Sequence, residues 1–218
     1  MADVARTMAR GRLITFEGGE GTGKSTQAAR LAQRLAADGI EVVATREPGG
    51  SPGAEAIRDL LVNGAVDRWS AASETLLLYA ARRDHIERLI APALERGAMV
   101  ICDRFADSTR AYQGIAAEGP MDLIAALEAA VLEGVRPDLT LILDLPAETG
   151  LARAAGRRGI ETRFETKGVA FHQKLREAFL AIAKAEPERC VIIDAQPPIE
   201  DVEAAICAAV SGRLGLSK

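Results

Sequence analysis

Groups that build metal centres and disulfide frameworks are scarce in this chain. There are three cysteines, Cys102, Cys190 and Cys207, far apart and set in apolar runs such as AMVICD and ERCVIID. They read as buried thiols of a reducing compartment, not as a disulfide set or a metal site. The two histidines, His85 and His172, have no Cys or His at ligand spacing, so no zinc centre is expected. No apolar run reaches the ~18 residues a membrane span needs. The first ten residues, MADVARTMAR, lack the apolar core of a secretion signal and read as a flexible extension. Cytoplasmic location without a membrane partner is the expectation. Positive charge is in deficit, with 27 Lys plus Arg against 31 Asp plus Glu and a net charge of -4, so no nucleic-acid partner is expected. No internal repeat and no linker-like tract divides the 218 residues. The reading is one domain over 1–218, with enough apolar content for a full core.

The chain does hold a glycine-rich segment, GGEGTGKS (Gly18–Ser25), directly after the apolar run Leu13 to Phe16. It satisfies GxxxxGK[ST], the phosphate-binding loop, in the strand-before, helix-after context that makes the pattern specific. Gly18, Gly21 and Gly23 allow turns closed to other residues, so backbone N–H groups converge on phosphate oxygens. Lys24 adds a point charge and Ser25 a hydroxyl for Mg²⁺. A helix starting near Lys24, with Ala28, Leu31 and Leu35 at helical spacing, directs its positive end at the same anion. The expected ATP contacts are Gly18, Gly19, Glu20, Gly21, Thr22, Gly23, Lys24, Ser25 and Thr26.

Five short β-type runs alternate with helical patterns: Arg12 to Glu17, Ile40 to Thr45, Ala98 to Asp103, Leu139 to Leu145 and Cys190 to Asp194. The alternation predicts an α/β fold, a five-stranded parallel sheet flanked by helices in three layers, of the P-loop NTPase type. Glu17, Asp103 and Asp144 close three strands, at the edge where ligands sit. The longest helical stretch, Ser73 to Glu95, presents Leu76, Leu77, Ile86, Leu89, Ile90 and Leu94 as its apolar face and contains Pro92, which should kink or break it. Further helices are predicted over Met121 to Leu132, Ala147 to Ala155, Phe164 to Ala185 and Ile199 to Val210.

A phosphate loop is common to GTPase switches, motor ATPases and small-molecule kinases. The guanine-reading Asn-Lys-x-Asp motif is missing, which argues against the first. A second anion site argues for the last: Arg46 follows the second strand, Arg82 and Arg83 lie on the long helix, and Asp103-Arg104 closes the third strand. Arg104 and Arg82 are placed to clamp a second phosphate facing the first, since guanidinium forks hold phosphate bidentately, and two facing phosphate sites imply phosphoryl transfer. For Arg82 or Arg83 taken alone, a solvated helix face is an equally good account. Arg153, Arg157, Arg158 and Arg163, around Gly156 and Gly159, read as a lid over about 153–165 that brings positive charge to the γ-phosphate and excludes water.

Taken together, GGEGTGKST, TREPGG (Thr45 to Gly50), YAARRDH (Tyr79 to His85), DRFADSTRAYQG (Asp103 to Gly114), RPDLTLILDL (Arg136 to Leu145) and RFE (Arg163 to Glu165) resemble bacterial thymidylate kinases, in that family's order and over nearly the whole chain. The resemblance implies transfer from ATP to dTMP with Mg²⁺, and a homodimer. It implies Ser25 and Asp103 at the metal, Lys24 at the donor, Arg104 on the acceptor phosphate and Glu20 at the acceptor 3′-hydroxyl. Arg82 would meet the thymine ring, Thr109 would offer an acceptor to ring N3–H, and Tyr112 would pack beside the 2′ position. Ser108, Gln113, Arg46 and Pro48 complete the implied dTMP site. Gly19, Glu20, Gly21 and Thr22 supply no basic residue, so the lid would carry the transition-state arginine. Two positions depart from the family pattern. Leu78 stands where a Phe often stacks on thymine, leaving Tyr79 or Phe105 to compensate, and Thr162 stands where an Asp often precedes the lid arginine. The alternative left open is a P-loop kinase for another nucleoside monophosphate or a deoxynucleoside.

Overall fold

The computed structural model describes residues 10–63, 68–155 and 167–215. Its centre is a parallel sheet of five strands, β1 (Leu13–Glu17), β2 (Val42–Arg46), β3 (Met99–Asp103), β4 (Leu139–Asp144) and β5 (Cys190–Asp194), in the order β2-β3-β1-β4-β5. The central strands are apolar on both faces because both are covered by helices. On one face, α1 (Lys24–Ala37) and the last helix, Ile199–Leu214, pack Leu31, Leu35 and Ile206 against Ile14, Phe16, Ile101 and Leu141. The opposite face takes alternate strand residues: Leu13, Val100 and Cys102 meet Ile86, Ile90 and Leu94, while Ile142 meets Leu175 and Phe179. By that alternation Glu17 faces the second layer, where it is wholly buried.

Each predicted strand is present, and three begin one or two residues later than the sequence suggests. The long helix departs from expectation. It runs as α3 (Ala71–His85), passes through a wide π turn at Ile86–Ile90, and continues as α4 (Ala91–Glu95). Pro92 therefore does not end it. Proline lacks an N–H and crowds the carbonyl four residues back, that of Arg88, and the widened turn just upstream removes both conflicts. Leu76 is exposed instead of joining the apolar face. A helix the sequence reading left out, α2 (Pro52–Val62), opens with Pro after Ser51, a pattern that favours helix initiation.

The remaining helices are α5 (Ala106–Thr109), which widens into a π turn at Arg110–Ala116, α6 (Met121–Leu132), α7 (Ala147–Ala155), α8 (Val169–Ala185) and α9 (Ile199–Leu214). The predicted start of α8 at Phe164 lies outside the described residues, as do Arg157, Arg158, Thr162 and Arg163 of the lid.

The phosphate loop is clamped from below by α7. Gly21 has φ +69, and a Cβ there would sit 2.0 Å from the carbonyl oxygen of Gly150, while a Cβ on Gly150 would sit 2.4 Å from the carbonyl oxygen of Glu20. Two glycines on different elements thus let the backbones touch. Gly150→Ala is expected to destabilise the fold by about 1–3 kcal/mol, the usual cost of forcing an extra carbon into a packed contact, and to weaken ATP binding by displacing Glu20 and Gly21. Urea unfolding and nucleotide titration of the variant check both; unchanged ATP affinity would contradict the clamp.

Candidate active site

At the carboxyl edge of the sheet the loop closes on itself. Gly23, with φ 91, ends it and α1 begins at Lys24. Lys24 is buried and donates through Nζ to the carbonyl of Gly19 (2.6 Å) and to Thr22 Oγ1 (3.3 Å). Burial, and then the repulsion of Arg104, pull its ammonium down to about 8. Ser25 and Thr26 are exposed at the helix start. Ser25 donates to Asp103 Oδ2 at 2.5 Å. Asp103 Oδ1 is buried without a partner among the described residues. A hydroxyl beside a carboxylate oxygen that lacks a donor suits Mg²⁺, which is held by one or two oxygen side chains plus phosphates and water. Among the described residues no three His, Cys, Asp or Glu side chains cluster as a metal cage, and this kind of site does not need one.

From the loop a cleft runs toward α2 and α3, and Glu20 and Arg104 stand at its inner end. Its lining includes Pro48, Leu78, Arg82, Ser108, Thr109, Tyr112 and Gln113, drawn from three segments separate in sequence. Arg104 joins the two halves: Nη2 donates to Glu20 Oε1 (2.9 Å), Nη1 to the Gly18 carbonyl (3.3 Å) and to Ser108 Oγ (3.2 Å), and the guanidinium lies 4.9 Å from the Tyr112 ring centre. The Tyr112 hydroxyl also donates to Glu20 Oε1, at 2.6 Å. Burial would raise the Glu20 carboxyl, but Arg104, Lys24 and the Tyr112 hydroxyl outweigh it and hold the group at about 2.

Arg82 is buried at the far end. It donates through Nε to Glu47 Oε2 (2.7 Å) and through Nη2 to the Phe105 carbonyl and Thr109 Oγ1 (both 3.1 Å), and its guanidinium lies over the rings of Tyr79 (4.6 Å) and Phe105 (5.3 Å). The motifs TREPGG and YAARRDH meet here. Glu47 also bonds His85 Nδ1 (3.0 Å), whose Nε2 bonds Thr45 Oγ1 (2.8 Å). His85 is therefore a satisfied core histidine.

Several expected residues lie elsewhere. Arg46 turns to Glu55 (3.1 Å) and is not part of the cleft lining. Arg83 sits on the outer face, ion-paired with Glu87 and Glu133. Asp144 is taken up by Arg176 in two contacts of 2.6 and 2.8 Å, beside a small cavity behind the loop. Arg153 donates to the carbonyls of Ala195 and Gln196, after β5. Of the two rings that could make up for Leu78, Phe105 lines the cleft and Tyr79 does not; the Tyr79 hydroxyl bonds Glu128.

Glu47, Arg58, Leu61, Val62 and Glu74 also line the cleft and are not among the residues the sequence points to. Arg58, which donates to the Pro48 carbonyl at 2.6 Å, sits on α2, and the Ser-Pro start of that helix was the available signal.

Beneath Arg104 lies Glu17. Its Oε1 accepts from the backbone N–H of Phe105 (2.8 Å) and of Ser108 (3.2 Å), and its Oε2 accepts from Ser108 Oγ (2.6 Å). Burial first, then Asp107, push its carboxyl up to about 8.

Fold and loop together define a P-loop NTPase. The comparisons carry the assignment further. The thymidylate kinase family model matches residues 16–206. A thymidylate kinase of Caulobacter vibrioides is 65% identical over 209 residues, 96% of this chain and 100% of that one. One of Bradyrhizobium sp. (strain ORS 278) is 52% identical over 218 residues, covering 98% and 96% of the two chains. The crystal structure of thymidylate kinase from Ehrlichia chaffeensis superposes with a TM-score of 0.77 at 33% identity, covering 92% of this chain and 99% of that chain. The chain belongs to the thymidylate kinase family.

Glu17 gives a pH prediction. A free carboxyl titrates near 4.5 and the folded one near 8, so between those values the folded chain holds a proton that the unfolded chain has released. When protonated, Oε2–H donates to Ser108 in place of the reverse. The stabilisation is complete below about 4.5 and is lost as pH rises toward 8. Glu17→Gln, with no proton to lose, should flatten that part of the stability curve in urea titrations between pH 5 and 8. A variant that loses stability with pH as steeply as the parent would contradict this.

Proposed function

We propose that this chain transfers the γ-phosphoryl group of ATP to the phosphate of dTMP, giving ADP and dTDP. The observation that carries the reading is the Glu20–Arg104 contact, which joins the phosphate loop to a second cleft with an arginine at each end. On this reading the loop and Lys24 hold the donor, and Arg104 and Arg58 face the acceptor phosphate. Arg82, Thr109 and Gln113 meet the base, and Ser25 with Asp103 would hold Mg²⁺. Bound there, the ion would screen the charge of the phosphate oxygens during transfer.

The chemistry needs little covalent help from the protein, since phosphoryl transfer is governed by alignment and charge. Arg104 and Lys24 are already fixed by carbonyl and carboxylate partners, so phosphate oxygens replace those partners without a search for geometry. Glu20, ionised and directed by Arg104 and Tyr112, offers an acceptor to a sugar hydroxyl and repels a misplaced phosphate. Tyr112, bonded to Glu20 and stacked under Arg104, walls the sugar region, in keeping with deoxyribose. The lid arginines, sought among Arg153, Arg157, Arg158 and Arg163, complete the charge on the transferring group.

One kinase domain, a cytoplasmic location and a homodimer belong to the same reading. Leu60 and Leu76, apolar and exposed on α2 and α3, support the last.

A coupled ADP-release assay across dTMP, dUMP, dCMP, dGMP, AMP and thymidine tests the proposal; dTMP should be the best acceptor, and another preferred acceptor would overturn the assignment. Arg104→Ala should lower kcat/KM by roughly 10²–10³-fold, the scale for losing one preorganised charge contact, while the chain stays folded by circular dichroism. Leu78→Phe should change KM for dTMP if the missing stack matters, and an unchanged KM would remove Leu78 from base contact.

A further inference from the structure

The base end of the cleft carries an amide whose two ends match in shape and oppose each other in chemistry. Gln113 is buried, lines the cleft and donates through Nε2 to Glu74 Oε1 at 2.7 Å. Glu74 is buried in the first turn of α3. An ionised carboxylate accepts hydrogen bonds and cannot donate them. The NH₂ end of the amide must therefore face Glu74, and the carbonyl oxygen Oε1 is the end left for a ligand. The other polar groups nearby do not make this choice. Arg82 can only donate, and its Nη1 is buried without a partner among the described residues. Thr109 Oγ1 accepts from Arg82 Nη2 and keeps a lone pair and a rotatable proton, so it can meet a donor or an acceptor and does not choose between them.

A donor from Arg82 beside an acceptor from Gln113 matches a ring edge on which a carbonyl oxygen adjoins an N–H, as in thymine or uracil. Cytosine reverses both positions, with an amino group next to a bare ring nitrogen, so donor meets donor and acceptor meets acceptor. Arg82 cannot change its sense; a glutamine amide can, by rotating about its last bond. We propose that Glu74 is a positioning residue for base choice: it locks the Gln113 amide with its oxygen toward the base and so excludes cytidylate. A flipped amide would set its carbonyl against the Glu74 carboxylate, at the cost of an unmade buried hydrogen bond and a repulsive contact. This inference rests on dTMP being the acceptor, and it assigns the discrimination to a residue that need not touch the base.

The test compares kcat/KM for dTMP and for dCMP, with dCMP also measured as a competitive inhibitor against dTMP, in the parent chain, Glu74→Gln, Glu74→Asp and the double variant Glu74→Gln/Gln113→Glu. An amide at position 74 can present either end, so Glu74→Gln should reduce the dTMP:dCMP ratio by about tenfold or more, the discrimination expected when a buried polar pair decides. Glu74→Asp keeps a group that only accepts and should keep the ratio, even at lower turnover. The double variant exchanges the two chemistries, leaves an acceptor facing the base, and should restore the ratio to within a few-fold of the parent. A merely structural role predicts equal losses for both substrates and no restoration. A parent chain that does not use dTMP removes the functional reading and this one with it. A parent that prefers dTMP, and whose preference survives in Glu74→Gln or is lost equally in Glu74→Asp, overturns this inference alone. If Glu74→Gln does not fold, the ratios of Glu74→Asp and of the double variant still decide.

Discussion

The site depends on one buried carboxyl group under one strained turn. Arg104 has φ 70, a left-handed conformation unusual outside glycine, and it holds because its N–H reaches the Phe16 carbonyl at 2.9 Å while Glu17 accepts from both following donors. Without Glu17 those N–H groups would be stranded in the core, at a cost comparable to a lost hydrogen bond each. The turn separates two consecutive side chains with different duties. Asp103 faces Ser25 on the donor side and Arg104 crosses to Glu20 and Ser108 on the acceptor side. A relay from Arg104 to Ser108 to Glu17 ties the clamp to the central strand, so the distance between the two halves of the site is set by the sheet.

Charge within the site is balanced locally, and on the proposed reading that is how an acidic chain binds two anions. Lys24 and Arg104 repel each other strongly enough for that repulsion to rank second only to burial in lowering the lysine. Glu20 lies between them and offsets both. An acid within a phosphate loop is costly beside a polyanion alone, but it is favourable once two buried cations need a counter-ion before substrates arrive. Net charge of the whole chain says little about such a cluster, because buried groups are screened far less than surface ones.

The sequence carried the framework because each part of it rests on local chemistry. Alternating apolar runs gave the five strands, the glycines gave the loop, and Asp103-Arg104 at a strand end marked the pair that the structure sets beside Ser25 and Glu20. What it did not carry depends on contacts between distant segments. Pro92 alone signals a break; only the widened turn at Ile86–Ile90 shows how the helix absorbs it. Arg46 reads as a phosphate ligand from its place after β2, and the structure pairs it with Glu55, nine residues on in α2. Nothing within TREPGG marks Glu47 as a core acid, yet it is buried between Arg82 and His85. The second shell of a polar site is written in pairings that no single segment displays.

The two ends of the cleft are held in different ways, and the difference bears on selectivity. Arg82 is fixed by Glu47, the Phe105 carbonyl, Thr109 and two aromatic rings, all within the protein core. A base arriving there meets groups that do not have to move, so a mismatched edge cannot be rescued by rearrangement and the full cost of an unmade hydrogen bond appears as discrimination. At the phosphate end, Lys24 and Arg104 are held by a loop carbonyl and by Glu20, partners of the kind that phosphate oxygens replace one for one. On the proposed reading, rigid recognition at the base and exchangeable partners at the phosphates would let the same cleft be selective at one end while the reacting groups shift charge at the other.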